Sequence, residues 1–510
     1  MNQNLEIIIF STFLVINLVM GLYFSKGVTT IKEYAVGDRN FSTATIVATL
    51  VATWITGEFF FGDIVENYNN GMYMMWAGVR GSLLALLSIG IFFAPRLGEF
   101  LGTLSIAESM GSLFGTNVRV VTAISGIIAA SGMVAVQFKV AGTVFEYLGI
   151  SSKYGLIIAG FIITLYSSLG GIKSVTLTDV IQFFTFGTII PIVGFFILNS
   201  LNSLESIQAV LTTNKLFDLG EVFDFSQPKA FYYLVLFFYV AIPGFGPPIF
   251  QRIAMAKDVF QVRRSFVIAA ITCTFITVSI CWISILIYVK QPNLASNDIV
   301  KYLVFNNAYP ELKILILVSV MAMVMSTADS YINSTSVLVV HDILGPLNVK
   351  ILGNKLIESR LFSALIGIFS IVLAFREGSL MQMLIGTSSF YMPVVTVPFI
   401  MALLGFRSTG KSVLVGMFAG FLTVVLWDYV FFKPFFNLDS LVPAMISNLA
   451  VLLSSHYLLR QKGGWVGIKD RTVLELLRHK RARNIREFIS EVKTFSLLKV
   501  FKANTPSSEA

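Results

Sequence analysis

The sequence predicts an all-α polytopic membrane protein of about thirteen transmembrane helices, and three observations carry this. Of its 510 residues, 55% are hydrophobic and 13% charged, where soluble globular chains carry roughly 25% charged residues. Apolar runs of about 20 residues, the length that crosses a bilayer as a helix, recur thirteen times. They lie near 5–25, 43–66, 71–97, 119–147, 153–171, 176–200, 229–255, 264–289, 312–340, 359–376, 379–405, 412–432 and 440–459. Two of the runs, five apart in the count, are broken by glycine, proline and polar residues. A backbone in lipid must satisfy its own hydrogen bonds, so runs this long read as helices, not core strands. The composition excludes a disordered chain, a secreted disulfide scaffold and a cysteine-built zinc site. Cys273 and Cys281 lie eight residues apart in one run. That is a helical rise of ~12 Å, which no disulfide spans, so both read as small core residues.

The first run is preceded by no positive charge and followed by Lys26, with no small-residue cleavage pattern. It reads as a retained span, not a cleaved signal, with the amino terminus outside and the carboxyl terminus in the cytoplasm. Under that orientation the inside loops hold fifteen basic residues: Lys26, Lys32, Arg39, Arg96, Arg119, Lys173, Arg252, Lys257, Arg263, Arg264, Lys350, Lys355, Arg360, Arg407 and Lys411. The outside loops hold eight: Lys153, Lys215, Lys229, Lys290, Lys301, Lys313, Arg376 and Lys433. The excess of Lys and Arg inside supports the assignment.

The second run places Thr53, Thr56, Gly57 and Glu58 at mid-membrane depth. The seventh contains Pro243, Gly244, Gly246, Pro247 and Pro248 within eight residues, which no regular helix accommodates. Paired discontinuous helices are the mark of inverted-repeat transporters, with the binding site between the breaks. The spacing predicts repeats over about 43–200 and 229–405.

Six ionisable residues fall inside the runs: Glu58, Asp63, Arg80, Lys139, Asp179 and Asp329. Each costs on the order of a few kcal/mol unless paired or hydrated. Arg80 and Lys139 read either as internal ion-pair partners or as snorkelling side chains. Asp63 lies near an outer helix end, and Asp179 near a helix start where the dipole suits a carboxylate. Glu58 and Asp329 sit among hydroxyls in otherwise apolar helices. In the ninth run Ser326, Thr327, Asp329 and Ser330 crowd into five positions. Residues three apart share a helix face, so Ser326 is expected beside Asp329 and Thr327 beside Ser330. Hydroxyls and unwound carbonyls are what a hard cation such as Na⁺ takes as ligands. Bonding of the hydroxyls back to their own helix is the other reading.

The chain divides into a membrane domain, 1–461, and a basic tail, 462–510. From Arg460 onward there are 12 Lys and Arg against 5 Asp and Glu. A juxtamembrane segment of this kind suits an anionic lipid leaflet or a cytoplasmic partner, and nothing supports nucleic acid. Leu474, Leu477, Ile485, Phe488 and Ile489 allow an amphipathic interfacial helix. A solvated charged tail is the alternative. The three histidines, His341, His456 and His479, lie far apart beside no nucleophile, so enzymatic chemistry is not expected.

Three segments together resemble the sodium/solute symporter family. They are Gly170-Gly171 with Thr178-Asp179 and Gln182; Gln251-Arg252 with Ala254, Ala256-Lys257 and Arg263-Arg264; and Met325 to Ser330 with Asn333-Ser334. The resemblance covers about residues 5–460. It implies a five-plus-five inverted-repeat, LeuT-like core with discontinuous second and seventh helices, and alternating access. It implies Na⁺ as coupling ion, held by the carbonyls of Ala52, Ile55 and Met323 and the hydroxyls of Ser326 and Thr327. Some members hold a second cation, and the matching positions are Asp179, Asp329 and Ser330. Members with two sites usually have hydroxyls in the ninth helix, so Asp329 is a departure. This acid is expected to strengthen cation binding, to admit a proton, or to pair with Lys139 or Lys173.

The resemblance also bears on the solute. Sugar carriers of the family have an aromatic pair where this chain has Ile242-Pro243, which argues against a sugar. The stretch from Ala52 to Gly57 is similar to the choline-carrier version. Trp54 is then a cation–π partner for an ammonium group, with Glu58 balancing its charge. The other reading packs Trp54 in the bundle and pairs Glu58 with Arg80 or Lys139. Tyr73, Trp76, Tyr239 and Phe245 are candidates to complete an aromatic pocket. The expected function is Na⁺-coupled symport of a small amine, amino acid or choline-like solute in a cell membrane, a bacterial inner membrane by family and compact loops. A membrane sensor and a proton-driven carrier are the competing readings.

Overall fold

The computed structural model describes residues 3–494 apart from 202, 307–308, 377–382, 384–385, 387–388, 431–438 and 470. The first helix, α1 (Gln3–Phe24), is apolar on nearly all sides. Its polar exceptions are tied down: Glu6 pairs with Lys313 at 2.7 Å, and Asn17 accepts from Gln182 at 3.0 Å. A short helix, α2 (Ile31–Val36), opens on a capping box between Thr30 and Glu33, which satisfies its first amides.

The second run forms two helices, α3 (Thr43–Trp54) and α4 (Gly57–Asn70), bent by 56° at their junction. Ile55 is extended (φ −89°, ψ 105°), and the Thr56 hydroxyl caps α4. Gly57 follows because a Cβ there would lie 2.6 Å from the Val324 side chain. Next come α5 (Met72–Leu87), α6 (Ile106–Phe114) and α7 (Thr116–Tyr147). The fifth and sixth runs form one continuous 48-residue path, α8 (Ser152–Asn199). It is interrupted at Gly171, where φ is +62° and a Cβ would lie 2.7 Å from the Tyr34 ring.

Short helices α9 (Leu204–Thr213) and α10 (Leu219–Val222) lead to the second break, between α11 (Pro228–Ala241) and α12 (Pro247–Ala254). After it come α13 (Val259–Lys290), α14 (Ser296–Phe305), α15 (Leu312–Val337) and α16 (Lys355–Ala374). The chain ends with α17 (Val397–Leu404), α18 (Gly410–Val425), α19 (Leu441–Leu458) and the tail helix α20 (Thr472–Thr494). A two-residue ladder joins β1 (Phe406–Arg407) to β2 (Gly464–Trp465).

Among the described residues, nine helices are long and apolar enough to cross a membrane, or ten with the bent α3–α4 pair. The thirteen expected runs reduce to this for local reasons. Two runs merge in α8, the 229–255 run is two short helices, and the 379–405 run lies partly outside the described residues. At the centre is α15, buried along almost its whole length. It packs on α3, α4, α7, α8, α12 and α16. Large apolar side chains such as Phe161, Phe184, Ile271, Phe275 and Phe418 face outward, as a lipid-facing surface requires.

Candidate ion and solute site

At the α3–α4 break the last carbonyls of α3 have no helical amide above them, so they are available to a ligand. The Ser326 hydroxyl, on α15, meets them. It lies 2.9 Å from the Ala52 carbonyl oxygen and 3.0 Å from that of Met323. Ala52, Ile55, Ser326 and Thr327 are all buried, and Thr327 Oγ1 has no hydrogen-bond partner. A buried orphan oxygen is costly. Ser326 beside the freed carbonyls, with Thr327 next to it in sequence, fits a cation-binding arrangement of neutral oxygens. The α15 face turned to α3 carries Ser326 and Ser330, four residues apart; Ser330 Oγ lies 3.4 Å from Thr53 Oγ1. Asp329 turns instead to α8, where its Oδ2 accepts from Tyr166 at 2.9 Å. The expected three-residue pairing is replaced by a four-residue one, since at 3.6 residues per turn i+3 and i+4 fall on opposite sides of i.

Asp179, Asp329 and Ser330 do approach one another, around a guanidinium. Arg252 Nη2 lies 3.1 Å from Asp179 Oδ2 and 2.5 Å from Ser330 Oγ. Its Nε donates to Thr49 Oγ1 at 3.1 Å, and the Thr49 hydroxyl donates to Asp179. Arg252 has 0% exposure. This corrects its expected place in a cytoplasmic loop: after the break, α12 turns the chain back into the bundle. The Asp329 carboxylate faces Tyr166, while Lys139 Nζ donates to the Arg376 carbonyl at 3.2 Å and Lys173 is exposed.

A cavity of about 350 Å³ opens beside the α3–α4 break. It is lined by both broken helices, by α5 and α7, and by Tyr331, Tyr391 and the start of α19. Among its described lining residues four are acidic, Glu58, Asp63, Glu66 and Asp439, and none is basic. Trp54 lines it, with its indole Nε1 donating to Ser82 Oγ at 2.6 Å. Glu58 is buried and accepts from Gln137, whose own Oε1 accepts from the Gly57 amide at 3.3 Å. Arg80 is exposed, 5.9 Å from the Trp76 ring. Tyr239 and Phe245 also line the cavity. Tyr73 and Trp76 do not: they pack against α11, Tyr73 on Tyr233 at 5.6 Å and Trp76 on Phe237 at 4.6 Å. Their aromatic surface is used between helices α5 and α11.

The second break is held open by its neighbours. Phe245 takes a positive φ of 48°. The Tyr391 hydroxyl donates to the Phe245 carbonyl at 2.9 Å, and that of Thr396 to the Gly244 carbonyl at 2.8 Å. Irregular backbone at membrane depth survives where protein groups satisfy it and it lines a cavity. Toward the carboxyl end of α15 the bundle is tied by Arg119 to Asp342, 2.8 Å apart.

Residue pattern alone did not single out Gln137, Tyr166, Glu66 and Asp439, and Arg252 entered only as part of a family-like segment and as a loop charge. The adjacent Gln251-Arg252 pair behind a double proline was the one signal available for Arg252.

Comparison with known proteins agrees with this geometry. The model of the sodium:solute symporter family matches residues 34–420. The sodium/pantothenate symporter of Haemophilus influenzae is 24% identical over 82% of this chain and 89% of its own. The sodium/proline symporter of Staphylococcus aureus is 23% identical over 93% of this chain and 96% of its own. The structure of a Na⁺-coupled sialic acid symporter superposes with a TM-score of 0.77 at 18% identity, over 90% of this chain and 98% of that one. The fold is therefore the inverted-repeat, LeuT-like transporter fold. With more than half its length matched, the chain belongs to the sodium:solute symporter family, multi-pass membrane proteins that move a small solute with Na⁺ and are not enzymes.

Proposed function

We propose that the protein takes up a small amine-bearing solute, an amino acid or choline-like compound, together with Na⁺ by alternating access. The observation behind the solute class is the acidity of the cavity, four carboxyl side chains and no base among its described lining residues. Such a lining favours a cationic or zwitterionic guest and repels an anion. Trp54 offers a π face to an ammonium, and Glu58 lies one turn on along the same break. The Staphylococcus aureus relative is named for proline, a zwitterion, which is consistent with this class.

Na⁺ is assigned to Ala52, Ile55, Met323, Ser326 and Thr327. Drawing these groups together orders the α3–α4 junction, from which Trp54 and Glu58 project into the cavity. Ion and solute then raise each other's affinity by the same factor. We read the cavity as facing outside, with the amino terminus outside and the basic tail resting on the anionic cytoplasmic leaflet. Arg96, Arg263 and Arg264 line the groove in which α20 docks, and α20 brings Arg478, Lys480 and Arg481 to it. The side chains of Phe488 and Ile489 lie outside the described residues.

Thermal shift of the purified protein against an amine and amino-acid panel, in Na⁺ and again in K⁺, tests the reading. A ligand that stabilises in Na⁺ only, and loses its effect in Glu58→Gln, is expected. Equal stabilisation in both salts would sink sodium coupling at this site, and a preference for anions would sink the solute class.

A further inference from the structure

We propose that the groove between the tail helix α20 and the membrane domain is a binding site for one anionic phospholipid, whose phosphate bridges the cations of its two sides. This deepens the leaflet reading of the tail given above and rests on it. The groove has a volume of about 1140 Å³. One side is formed by the turn that follows α5, with Ile91, Phe92, Pro95 and Arg96, and by the start of α13, with Arg263 and Arg264. The other side is α20, which packs on the Ala94–Arg96 turn and brings Arg478, Lys480 and Arg481. Six basic side chains thus converge, and no acid is among the described lining residues. None of the six takes part in an ion pair with another described residue. A basic helix docked on a basic ledge repels it, the more so where protein excludes water from between them. An anion in the groove turns that repulsion into attraction on both sides.

The arrangement suits a phosphate. Arg96 is fixed by its own turn: its guanidinium lies 4.1 Å from the Phe92 ring centre, and its Nη1 donates to the Phe92 carbonyl. Guanidinium groups bind phosphate oxygens through paired N–H donors. On α20, Leu474, Leu477, Arg478, Arg481 and Ile485 recur at three- and four-residue spacing, so they share one face, and all of them line the groove. A helix that docks by apolar contact alone has no use for arginines in the middle of that face. The rest of the groove favours a lipid over a free phosphate. Exposed Ile91, Phe92 and Ile268 line it as well. Along α13, Ile268 is followed at helical spacing by Ile271 and Phe275, both outward-facing. This apolar track leads from the groove along the lipid-facing surface, where an acyl chain attached to the phosphate finds its place.

Amide hydrogen exchange of α20 in the full-length protein tests this, in nanodiscs of phosphatidylcholine alone and of phosphatidylcholine with phosphatidylglycerol. In the wild type we expect exchange about tenfold slower with phosphatidylglycerol, a factor that one or two arginine contacts to anionic lipid supply. Inorganic phosphate added to the phosphatidylcholine discs is expected to leave exchange fast. Arg263→Ala/Arg264→Ala, which keeps every charge of the tail, is expected to lose the slowing. Arg478→Glu/Arg481→Glu is expected to exchange slowly in both discs, since its carboxylates pair with the ledge directly. Slowing that survives Arg263→Ala/Arg264→Ala, or exchange that stays fast in Arg478→Glu/Arg481→Glu, overturns the site and leaves the tail lying on the leaflet. Slowing by inorganic phosphate alone overturns the lipid as ligand. Wild-type exchange equally slow in both discs overturns the bridging anion. Exchange equally fast in both overturns the leaflet reading, and this inference with it. Exchange in the buried α15 reports whether each variant is folded; should one fail, the wild type and the other variant decide.

Discussion

Two cation-like loci lie about one turn apart on α15, and they are made of different materials. Around Ser326 the oxygens are neutral and partly supplied by a helix end, with Ala52 O at 2.9 Å and Met323 O at 3.0 Å. Around Asp179 they include buried carboxylates, and a buried arginine sits among them. Neutral oxygens at a helix break tolerate an ion that comes and goes, because an empty site leaves no unpaired charge behind. Buried carboxylates do not tolerate vacancy, since an unpaired charge at that depth costs far more than a lost hydrogen bond. The fold therefore places permanent charge where permanent compensation exists, and the neutral locus is the one proposed for an exchanging ion.

The sharpest break of this contrast is Asp179→Ala. It strands the guanidinium at 0% exposure and is expected to cost about 3–5 kcal/mol, read as a large drop in thermal unfolding temperature in both Na⁺ and K⁺. At the neutral locus, Gly57→Ala pushes a methyl to within 2.6 Å of Val324. Overpacking of this kind costs about 1–3 kcal/mol, and it should weaken Na⁺ stabilisation by moving the α3–α4 junction. The Ser326→Ala/Thr327→Ala pair removes the Ser326 hydroxyl that bonds the Ala52 and Met323 carbonyls and the unpartnered Thr327 hydroxyl, at about 1–2 kcal/mol. Stability in K⁺ should fall by about that much while the gain from adding Na⁺ disappears; a retained gain would place the ion elsewhere. The smallest effect separates two tryptophans. Trp54→Ala should weaken solute binding by the ~1–2 kcal/mol of a desolvated cation–π contact, whereas Trp76→Ala lowers stability and leaves solute affinity unchanged in a ligand titration.

Much of the fold was legible because its determinants are local. Hydropathy over about 20 residues marks a span, and the cluster Pro243, Gly244, Gly246, Pro247 and Pro248 marks a break wherever it sits. The α3–α4 break was legible from its polar residues, although no proline makes it; Ile55 and the Thr56 cap do. The merged α8 was not legible, because two apolar runs separated by Gly170-Gly171 read the same whether the path bends or stops. At the site, Ser326 and Thr327 stood out as hydroxyls in an apolar helix. Arg252 did not, since a charge at the end of an apolar run resembles a loop residue until the position of α12 is known. Tyr73 and Trp76 were indistinguishable by spacing from Trp54, which lines the cavity.

What the sequence by itself determined was the number and placement of apolar runs, the two interruptions, and the presence of oxygens and acids at membrane depth. These follow from chain-local rules of hydropathy, helix breaking and periodicity. Tertiary structure alone decided which of those groups meet. Arg252 reaches Asp179 across 73 residues, Ser330 across 78 and Thr49 across 203. Gln137 reaches Glu58 across 79. Contacts at such separations depend on how helices pack, and a buried charge is free to accept any partner the packing brings to it.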